Sequence, residues 1–546
     1  MTVGAAGSAA VDVIVVGSGA SAVHAAFPLI EAGLRVRMLD VGHRGDTYEE
    51  LVPDRAFLDV HRNDENQWRY FLGERLEGVS LGRTGIGAQL TPPRQHVSRD
   101  VERLTPVASD TFLPLESLAV GGLASAWGAG CPPFDDADLA GMPLAHTDLE
   151  PHYTAVAERI GISGADDDLL PFFGPLPGML PAVRHDLNAQ SILDRYESAR
   201  HRLHRAGFFL GQPRLAMLSR DYRGRRATSY HDMDFWSDAG RSVYRPRWTL
   251  DELAGFDRFE YREGLLVEKF AEDGEVVHVT GRRLHDNGVE AHTARALILA
   301  AGALGSARIA LRSMGAYDRA VPLVCNPHTY APMINLHRLG ASGDDARHSQ
   351  AQACVVFRDP ADGHVTVGHV YSYRSLLAFK LLRESPLAHR EGVRVVRELM
   401  PSLAILLLQH ADTPSSEKRC VLRRAPDGGP DVLEIHYALA PEERRRADRA
   451  ERHILRHFRS LGCYCIRRVR AGHAASVHYA GTLPMTDRGT DLTTTPDGRL
   501  RPTRGVYVAD GSVFPHLPSK GLTFTMMANA NRIGTRLGSA LAGRGP

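Results

Sequence analysis

The stretch Val11–Gly42, VDVIVVGSGASAVHAAFPLIEAGLRVRMLDVG, decides the fold of this 546-residue chain. It begins with a short β-branched run, passes through a glycine-rich turn into an alanine-rich segment, and ends in a second strand-like run closed by Asp40. The order strand, glycine turn, helix, strand and acid is typical of a βαβ unit that binds a dinucleotide. The alternative interpretation is a structural βαβ unit without a ligand.

Each part of this unit has a physical purpose if a dinucleotide binds. Gly17 permits the tight turn, Gly19 lets the backbone approach a pyrophosphate, and the small Ala22 lets the helix pack on the strand. The helix N-terminus offers free N–H groups and a partial positive charge to the phosphates. Asp40 can accept hydrogen bonds from ribose hydroxyls, which disfavours NADP. The pattern predicts a dinucleotide and leaves FAD and NAD open.

The composition is that of a globular protein with almost no net charge. Hydrophobic residues make up 43% and charged residues 24% of the chain, and the formal net charge is +1. This balance gives no global attraction to nucleic acid or to an anionic membrane. The six cysteines lack the usual zinc-site spacing, and the apolar runs are too short to span a bilayer. No metal site and no membrane contact are predicted, and a cytoplasmic location is expected.

Two further stretches indicate where the chain closes around a ligand. LAVGGLASAWGAGCPPFDD, at 118–136, places small residues around one tryptophan, which favours a backbone threaded close to a flat group over a flexible loop. Residues 259–315 contain three alternating strands and then the buried run ALILAAG, which ends at Gly302. Ser306 is a candidate start for the next helix. These features predict a second glycine-lined loop beside the first.

The rest of the chain predicts a sheet of another kind and a closing helix. Strand-like runs dominate 320–475, with one clear helix at about 441–461, and together they favour a mostly antiparallel substrate-binding sheet. The final stretch predicts a short buried strand ended by Asp510, a turn-rich loop and a helix beginning near Leu522. The N-terminus of that helix can aim N–H groups at a developing anion.

Five blocks, in this order, resemble the glucose–methanol–choline (GMC) family of flavin oxidoreductases, nearest to its pyranose-oxidase-like bacterial branches. The blocks are VVGSGASA, VGGLASAW, ILAAGALGSARIALRSMG, VHYAGTLPM and VYVADGSVFPHLPSKGLTFTMMANA. The resemblance implies an α/β protein, α+β overall, in which a Rossmann-type FAD-binding domain is joined to a mostly antiparallel-sheet substrate domain with helices. The implied FAD-binding domain is discontinuous and covers 8–50, 105–165, 225–318 and 476–546. The implied substrate-binding segments are 51–104, 166–224 and 319–475.

The resemblance also implies which residues hold FAD. The ADP half would lie on the first glycine turn and Asp40, with Val267 behind the adenine. The small-residue stretch would follow the flavin and ribityl chain, and the start of the last helix would face the N1 and C2 edge of the flavin. The implied cofactor-binding residues are Gly17, Ser18, Gly19, Ala20, Ser21, Asp40, Gly121, Gly122, Ser125, Trp127, Gly128, Val267, Ala301, Gly302, Asp510, Gly511, Gly521, Leu522 and Thr523.

His478, in the block VHYAGTLPM, resembles the family's active-site histidine on the substrate side of the flavin. An imidazole is suited to accept the proton of an alcohol near neutral pH, while flavin N5 accepts the hydride. The predicted function is therefore oxidation of an alcohol group on a sugar, glycoside, aminosugar or polyol, within secondary metabolism. The alternative interpretation of His478 is an ordinary core histidine.

Two positions depart from the family pattern. Gly521 stands where relatives carry a second His or Asn. Either His516 or Lys520 replaces that group, or the glycine makes room for a larger substrate, or alcohol oxidation is impaired. Lys520 would place a cation near the flavin N1 edge or be an exposed loop lysine. Ala126 stands where the pyranose-oxidase branch has a histidine bonded to FAD, so the prediction is non-covalent FAD.

Other functions stay open on the sequence alone. A hydroxynitrile-lyase-like enzyme would keep flavin without turning it over, and a non-catalytic flavoprotein would hold FAD that no alcohol reduces. An NAD-dependent dehydrogenase is the fourth possibility. The expected partners are a small-molecule alcohol substrate and an electron acceptor, for which oxygen, a quinone and a carrier protein are all open. Nucleic acid is not an expected partner.

Overall fold

The computed structural model describes residues 11–45, 47–76, 92–341, 345, 348–372, 386–425, 428–470 and 477–543. The helices are α1 (Ala20–Glu31), α2 (Phe57–Asn63), α3 (Gln67–Phe71), α4 (Val101–Leu104), α5 (Asp136–Leu139), α6 (His146–Ile160), α7 (Leu170–Phe173), α8 (Leu187–Arg205), α9 (Pro246–Leu253), α10 (Ala303–Ser313), α11 (His389–Leu399), α12 (Pro441–Ser460) and α13 (Thr523–Ala542). The strands are β1 (Val11–Val16), β2 (Val36–Leu39), β3 (Val107–Ala108), β4 (Phe208–Gly211), β5 (Phe259–Arg262), β6 (Leu265–Asp273), β7 (Val276–Arg283), β8 (Val289–Leu299), β9 (Ala320–Pro322), β10 (Val324–Cys325), β11 (His328–Asn335), β12 (Ala353–Arg358), β13 (Val365–Ser372), β14 (Leu403–Gln409), β15 (Lys418–Arg423), β16 (Val432–Tyr437), β17 (Cys463–Cys465), β18 (Val469–Arg470), β19 (Tyr479–Ala480) and β20 (Val506–Val508).

The first large sheet is built on the βαβ unit at the front of the chain. β1 pairs in parallel with β2 and with β8, and β2 pairs in parallel with β5. β20 lies parallel to the C-terminal part of β8, so strands from both ends of the chain share one sheet. The buried side chains of β1 and of the C-terminal part of β8, from Ala296 to Leu299, are typical of parallel strands covered on both faces.

Helices α1 and α13 pack closely against each other beside this sheet. A Cβ atom on Gly534 of α13 would collide with the carbonyl group of Ala25 in α1. The glycine therefore lets the two backbones approach more closely than any side chain would allow. The last helix is in this way fixed against the first.

The alternating strands predicted after residue 259 are present, and β6, β7 and β8 pair as antiparallel neighbours. The expected helix start at Ser306 is wrong. Helix α10 begins at Ala303, because Gly302 at φ +80° turns the chain directly from β8 into the helix. The hydroxyl of Ser306 instead donates to Asp510 Oδ2 at 2.5 Å, which joins α10 to the loop after β20.

The second large sheet has the order β17-β11-β14-β13-β12-β4, with β18 on β11, and its paired strands are antiparallel. This confirms the antiparallel sheet predicted for 320–475. One face is apolar and packs on α8 and α12 through side chains such as Leu406 and Phe458. The helix predicted at about 441–461 is confirmed as α12.

A smaller sheet, β3-β16-β15-β9, and the short pair β10-β19 complete the strands. The assignment of the chain segments to an FAD-binding and a substrate-binding domain stays a prediction. Of the helices in the described ranges, none combines the length and the apolar character that a membrane span requires.

Candidate active site

A cavity of about 740 Å³ is lined by residues of both large sheets. The first large sheet contributes the loops that follow its parallel strands β1, β8 and β20, and we call this side the backbone wall. The antiparallel sheet contributes side chains from β11, β13 and β14, and we call this side the side-chain wall. His478 lies on the same cavity.

Glycine shapes the backbone wall at two loops. Gly17 has φ +96°, and a Cβ atom there would lie 2.6 Å from the carbonyl oxygen of Ala300. The turn after β1 therefore lies directly against the end of β8 and tolerates no side chain. Gly121 and Gly122, at φ +83° and +60°, bring the second loop to Gly19, since a Cβ on Gly122 would lie 3.4 Å from the Gly19 Cα.

Three helix N-termini meet at this cavity. The residues that precede α1, α10 and α13 are Gly19, Gly302 and Leu522, and all three line it. Within the described part of the chain, none of these three ends has a side-chain cap or an acidic residue in its first turn. Their N–H groups and partial positive charges are thus available to an anionic ligand.

The polar groups of the backbone wall fit a dinucleotide such as FAD. The buried hydroxyl of Ser21, in the first turn of α1, has no hydrogen-bond partner among the described residues. Asp40 lines the cavity at the end of β2, where Ser18 and Tyr261 donate to its Oδ2, the latter at 3.2 Å. Burial raises the pKa of Asp40 to about 6, so the carboxylate is mostly charged at neutral pH. An acceptor for ribose hydroxyls and donors for phosphates therefore lie along one wall.

The structure brings nearly all of the predicted cofactor residues together. Those that line the cavity are Gly17, Ser18, Gly19, Ala20, Ser21, Asp40, Gly121, Gly122, Trp127, Gly128, Val267, Ala301, Gly302, Asp510, Gly511, Gly521, Leu522 and Thr523. Ala126 lines it too.

Ser125 is the predicted cofactor residue that lies outside the lining, and its part in cofactor binding stays a prediction. Its buried hydroxyl donates to the carbonyl of Val120 at 2.7 Å. The side chain of Ser125 therefore braces the small-residue loop. Trp127 braces the same loop, since its Nε1 donates to the carbonyl of Tyr244 at 2.8 Å.

His478 lies directly before β19, and its own carbonyl accepts from the backbone N–H of Asn326 at 3.0 Å. A Cβ atom on Gly521 would lie 3.6 Å from the Cε1 atom of the His478 ring. The departure from the family pattern therefore lies next to this imidazole. Burial lowers the pKa of His478 to about 4, so the ring is neutral at pH 7 and able to accept a proton.

The two replacements proposed for the missing polar group at Gly521 are corrected by the structure. Lys520 is only 1% exposed, and its Nζ pairs with the carboxylates of Asp135, at 3.0 Å, and Asp138. It is neither an exposed loop lysine nor a cation on the cavity, because burial requires that its charge be paired. His516 also lies off the cavity, and its Nε2 donates to the carbonyl of Asp138 at 2.9 Å.

The side-chain wall was missed by the sequence interpretation. His328, His369 and Gln409 project into the cavity from β11, β13 and β14, as do Tyr330 and Tyr371. The ring of His328 packs edge-on against His478, with centroids 5.4 Å apart. Burial lowers the pKa of His369 to about 4 and that of His328 well below its usual range, so the wall is polar but uncharged. The available signal was His369 and Tyr371 at alternate positions of VTVGHVYSY, together with the polar Gln409 at the end of the apolar run LAILLLQ.

Comparisons with known proteins agree with this architecture. Residues 388–530 match the family model described as GMC oxidoreductase. The chain is 25% identical to 6'''-hydroxyparomomycin C oxidase of Streptomyces lividus, over 97% of this chain and 92% of that protein. It is 22% identical to paromamine 6'-oxidase of Streptomyces fradiae, over 98% and 92% of the two chains.

Among solved structures, the chain resembles pyridoxine 4-oxidase from Mesorbium loti. The TM-score is 0.58 at 15% sequence identity, and the match covers 96% of this chain and 99% of the other. At this identity the likeness shows a shared fold.

Proposed function

We propose that this chain is a GMC oxidoreductase that oxidises a hydroxyl group of a sugar-like substrate with bound FAD, with His478 as the base. The observation that carries the proposal is a neutral imidazole on the same cavity as three uncapped helix N-termini. The named curated relatives act on aminoglycosides, which makes an aminosugar the first substrate class to test.

The backbone wall would hold the cofactor. The turn at Gly17 and the N-terminus of α1 would bind the pyrophosphate, and Asp40 would accept from the ribose. Bound FAD supplies a hydride acceptor at its N5 atom. The N-terminus of α13 would offer N–H groups to negative charge on its side of the cavity.

His478 would perform the proton transfer. An alcohol becomes a carbonyl when the hydroxyl loses its proton and the carbon loses a hydride. The unprotonated nitrogen of His478 would accept the proton, which the neutral state of the ring at pH 7 allows. The neutral polar side-chain wall would orient the remaining hydroxyl and amino groups through hydrogen bonds.

We further propose that FAD is held without a covalent bond. Ala126 lines the cavity at the position where the pyranose-oxidase branch carries its linking histidine. The methyl side chain of alanine has no nucleophilic atom that could form a bond to FAD. Acid precipitation of the purified protein should leave the yellow colour in the supernatant. Colour that stays in the pellet contradicts this attachment mode.

Anaerobic mixing of the yellow protein with paromamine, pyridoxine, glucose or sorbitol tests the function. Loss of the oxidised flavin absorbance with any of them supports alcohol oxidation. Product formation without bleaching indicates a lyase, and neither bleaching nor product with this panel contradicts the proposed substrate class. Oxygen is the first electron acceptor to test, because the named relatives are oxidases.

A further inference from the structure

Gln409 ends β14 and lies between two imidazoles of the cavity. It is 4% exposed, and its backbone pairs with His328 in β11. Its Nε2 atom lies 3.4 Å from Nδ1 of His478 and 3.5 Å from Nε2 of His328. Its Oε1 atom is buried and has no hydrogen-bond partner among the described residues. One side-chain amide therefore faces the nitrogens of both rings.

The atom that Gln409 presents decides which nitrogen of His478 carries the proton. A neutral imidazole has one N–H donor and one acceptor lone pair. If the amide nitrogen donates to Nδ1, the ring proton lies on Nε2, and Nε2 cannot accept a proton from an alcohol. If the amide oxygen faces Nδ1, that nitrogen carries the proton and Nε2 keeps its lone pair.

Both orientations of the amide occupy the same space, because rotation by 180° about its last bond exchanges the oxygen and the nitrogen. With the oxygen toward the rings, one carbonyl accepts from Nδ1 of His478 and from Nε2 of His328. A carbonyl oxygen has two lone pairs, so both contacts are satisfied together. The contacts are long for hydrogen bonds, as is common for catalytic groups before a substrate binds.

We propose that Gln409 is a positioning residue whose amide oxygen accepts from Nδ1 of His478 and so keeps the lone pair on Nε2. This inference rests on the proposed role of His478 as the base. The same contact stabilises the imidazolium after proton transfer, since Nδ1–H then donates to the same oxygen. It makes a residue of the antiparallel sheet part of the proton-accepting unit without touching the reacting carbon.

The test is the position of the ring proton in the FAD-loaded protein labelled with ¹⁵N-histidine. The signals of His478 are identified by their loss in His478→Gln, and coupling to ring hydrogens shows which nitrogen is protonated. We expect Nδ1–H in the natural protein. Gln409→Glu keeps an acceptor and adds charge, so it should retain Nδ1–H and shift the titration of His478 to higher pH. Gln409→Leu, of similar size, should shift the proton toward Nε2.

Two outcomes overturn the inference: a proton on Nε2 in the natural protein, or a Gln409→Leu protein with the same tautomer and titration as the natural one. The first outcome is measured on the natural protein. The inference can therefore be tested even if a variant does not fold. A purely structural role for Gln409 changes thermal stability in both variants without moving the ring proton. The proposed function has a separate test. It is contradicted if the flavin of the His478→Ala protein loses its absorbance with an alcohol as fast as that of the natural protein.

Discussion

The two walls of the cavity differ in which groups of the chain form them: backbone groups on one side and side chains on the other. The backbone wall depends on glycine turns and helix ends, where the lack of a side chain lets backbone segments approach each other closely. The side-chain wall depends on which residues project from alternate positions of an antiparallel sheet, with His328 and Gln409 as examples. We propose on this basis that one wall recognises a common cofactor and the other a particular substrate.

The largest effect should come from removing the imidazole at the junction of the walls. His478→Ala should slow anaerobic flavin reduction by roughly 10²- to 10⁴-fold, because a general base contributes about that much. Stopped-flow absorbance with the alcohol that bleaches the natural protein measures it. His516→Ala is the matched control, because its Nε2 is occupied by the Asp138 carbonyl off the cavity. Equal loss in both variants contradicts the special role of His478.

Acid should affect the side-chain wall through its neutral histidines. The pKa of His369 is lowered by burial to about 4, whereas an unfolded histidine titrates near 6.5. The unfolded chain thus binds more protons between these values, and stability falls as the pH falls from about 6.5 to 4. His369→Gln should flatten the fall by up to about 3 kcal/mol, seen in thermal unfolding across pH. An unchanged pH slope in the variant means that this ring is not held neutral.

The titration of a second buried ring, His478, should appear in the rate. Flavin reduction should stay level as the pH falls toward 6 and decrease as it approaches about 4, the value to which burial lowers the pKa of His478. Stopped-flow rates across this range measure the profile. A decrease centred near 6.5 contradicts a buried neutral base.

The backbone wall can be tested with two neighbouring glycines. Gly17→Ala should destabilise the protein by about 1 to 3 kcal/mol, because φ is positive and the new Cβ would meet the Ala300 carbonyl. Gly19→Ala should leave the FAD-free protein as stable as before, since the nearest atom to its Cβ is 4.0 Å away. Both should lose FAD, measured by flavin absorbance after purification. Full FAD retention in Gly19→Ala contradicts a close approach of the pyrophosphate.

A small effect on stability is also expected at Gly521. A Cβ atom there makes an ordinary contact with His478, so Gly521→Ala should change unfolding free energy by less than about 1 kcal/mol. It should leave FAD content unchanged and raise KM for a bulky substrate, if the glycine serves to make room. An unchanged KM shows that the space beside His478 is not used by the substrate.

The sequence was sufficient for the backbone wall because glycine spacing and strand runs are local signals. Gly17, Asp40 and Gly302 could be placed from their neighbours in the chain alone. The start of α10 could not be placed in this way. It depends on the positive φ of Gly302, and the sequence does not show which backbone angle a glycine adopts. The orientation of Ser125 was hidden for a similar reason, since spacing gives no side-chain direction.

The remaining errors concern contacts between distant parts of the chain. Lys520 is paired with the carboxylates of Asp135 and Asp138, and the sequence around Lys520 does not indicate these partners. The side-chain wall posed another difficulty. The alternate positions of His369 and Tyr371 in β13 place both on one face of the sheet, but they do not show that this face lies on a cavity instead of solvent.

The meeting of three helix ends has a consequence for how the protein is made. Their N–H groups and the hydroxyl of Ser21 need an anionic or polar partner, and under the proposed function bound FAD would supply it. A ligand that binds only the folded chain raises its stability by mass action. Riboflavin supply in the producing cell should therefore govern the yield and proteolytic lifetime of this polypeptide.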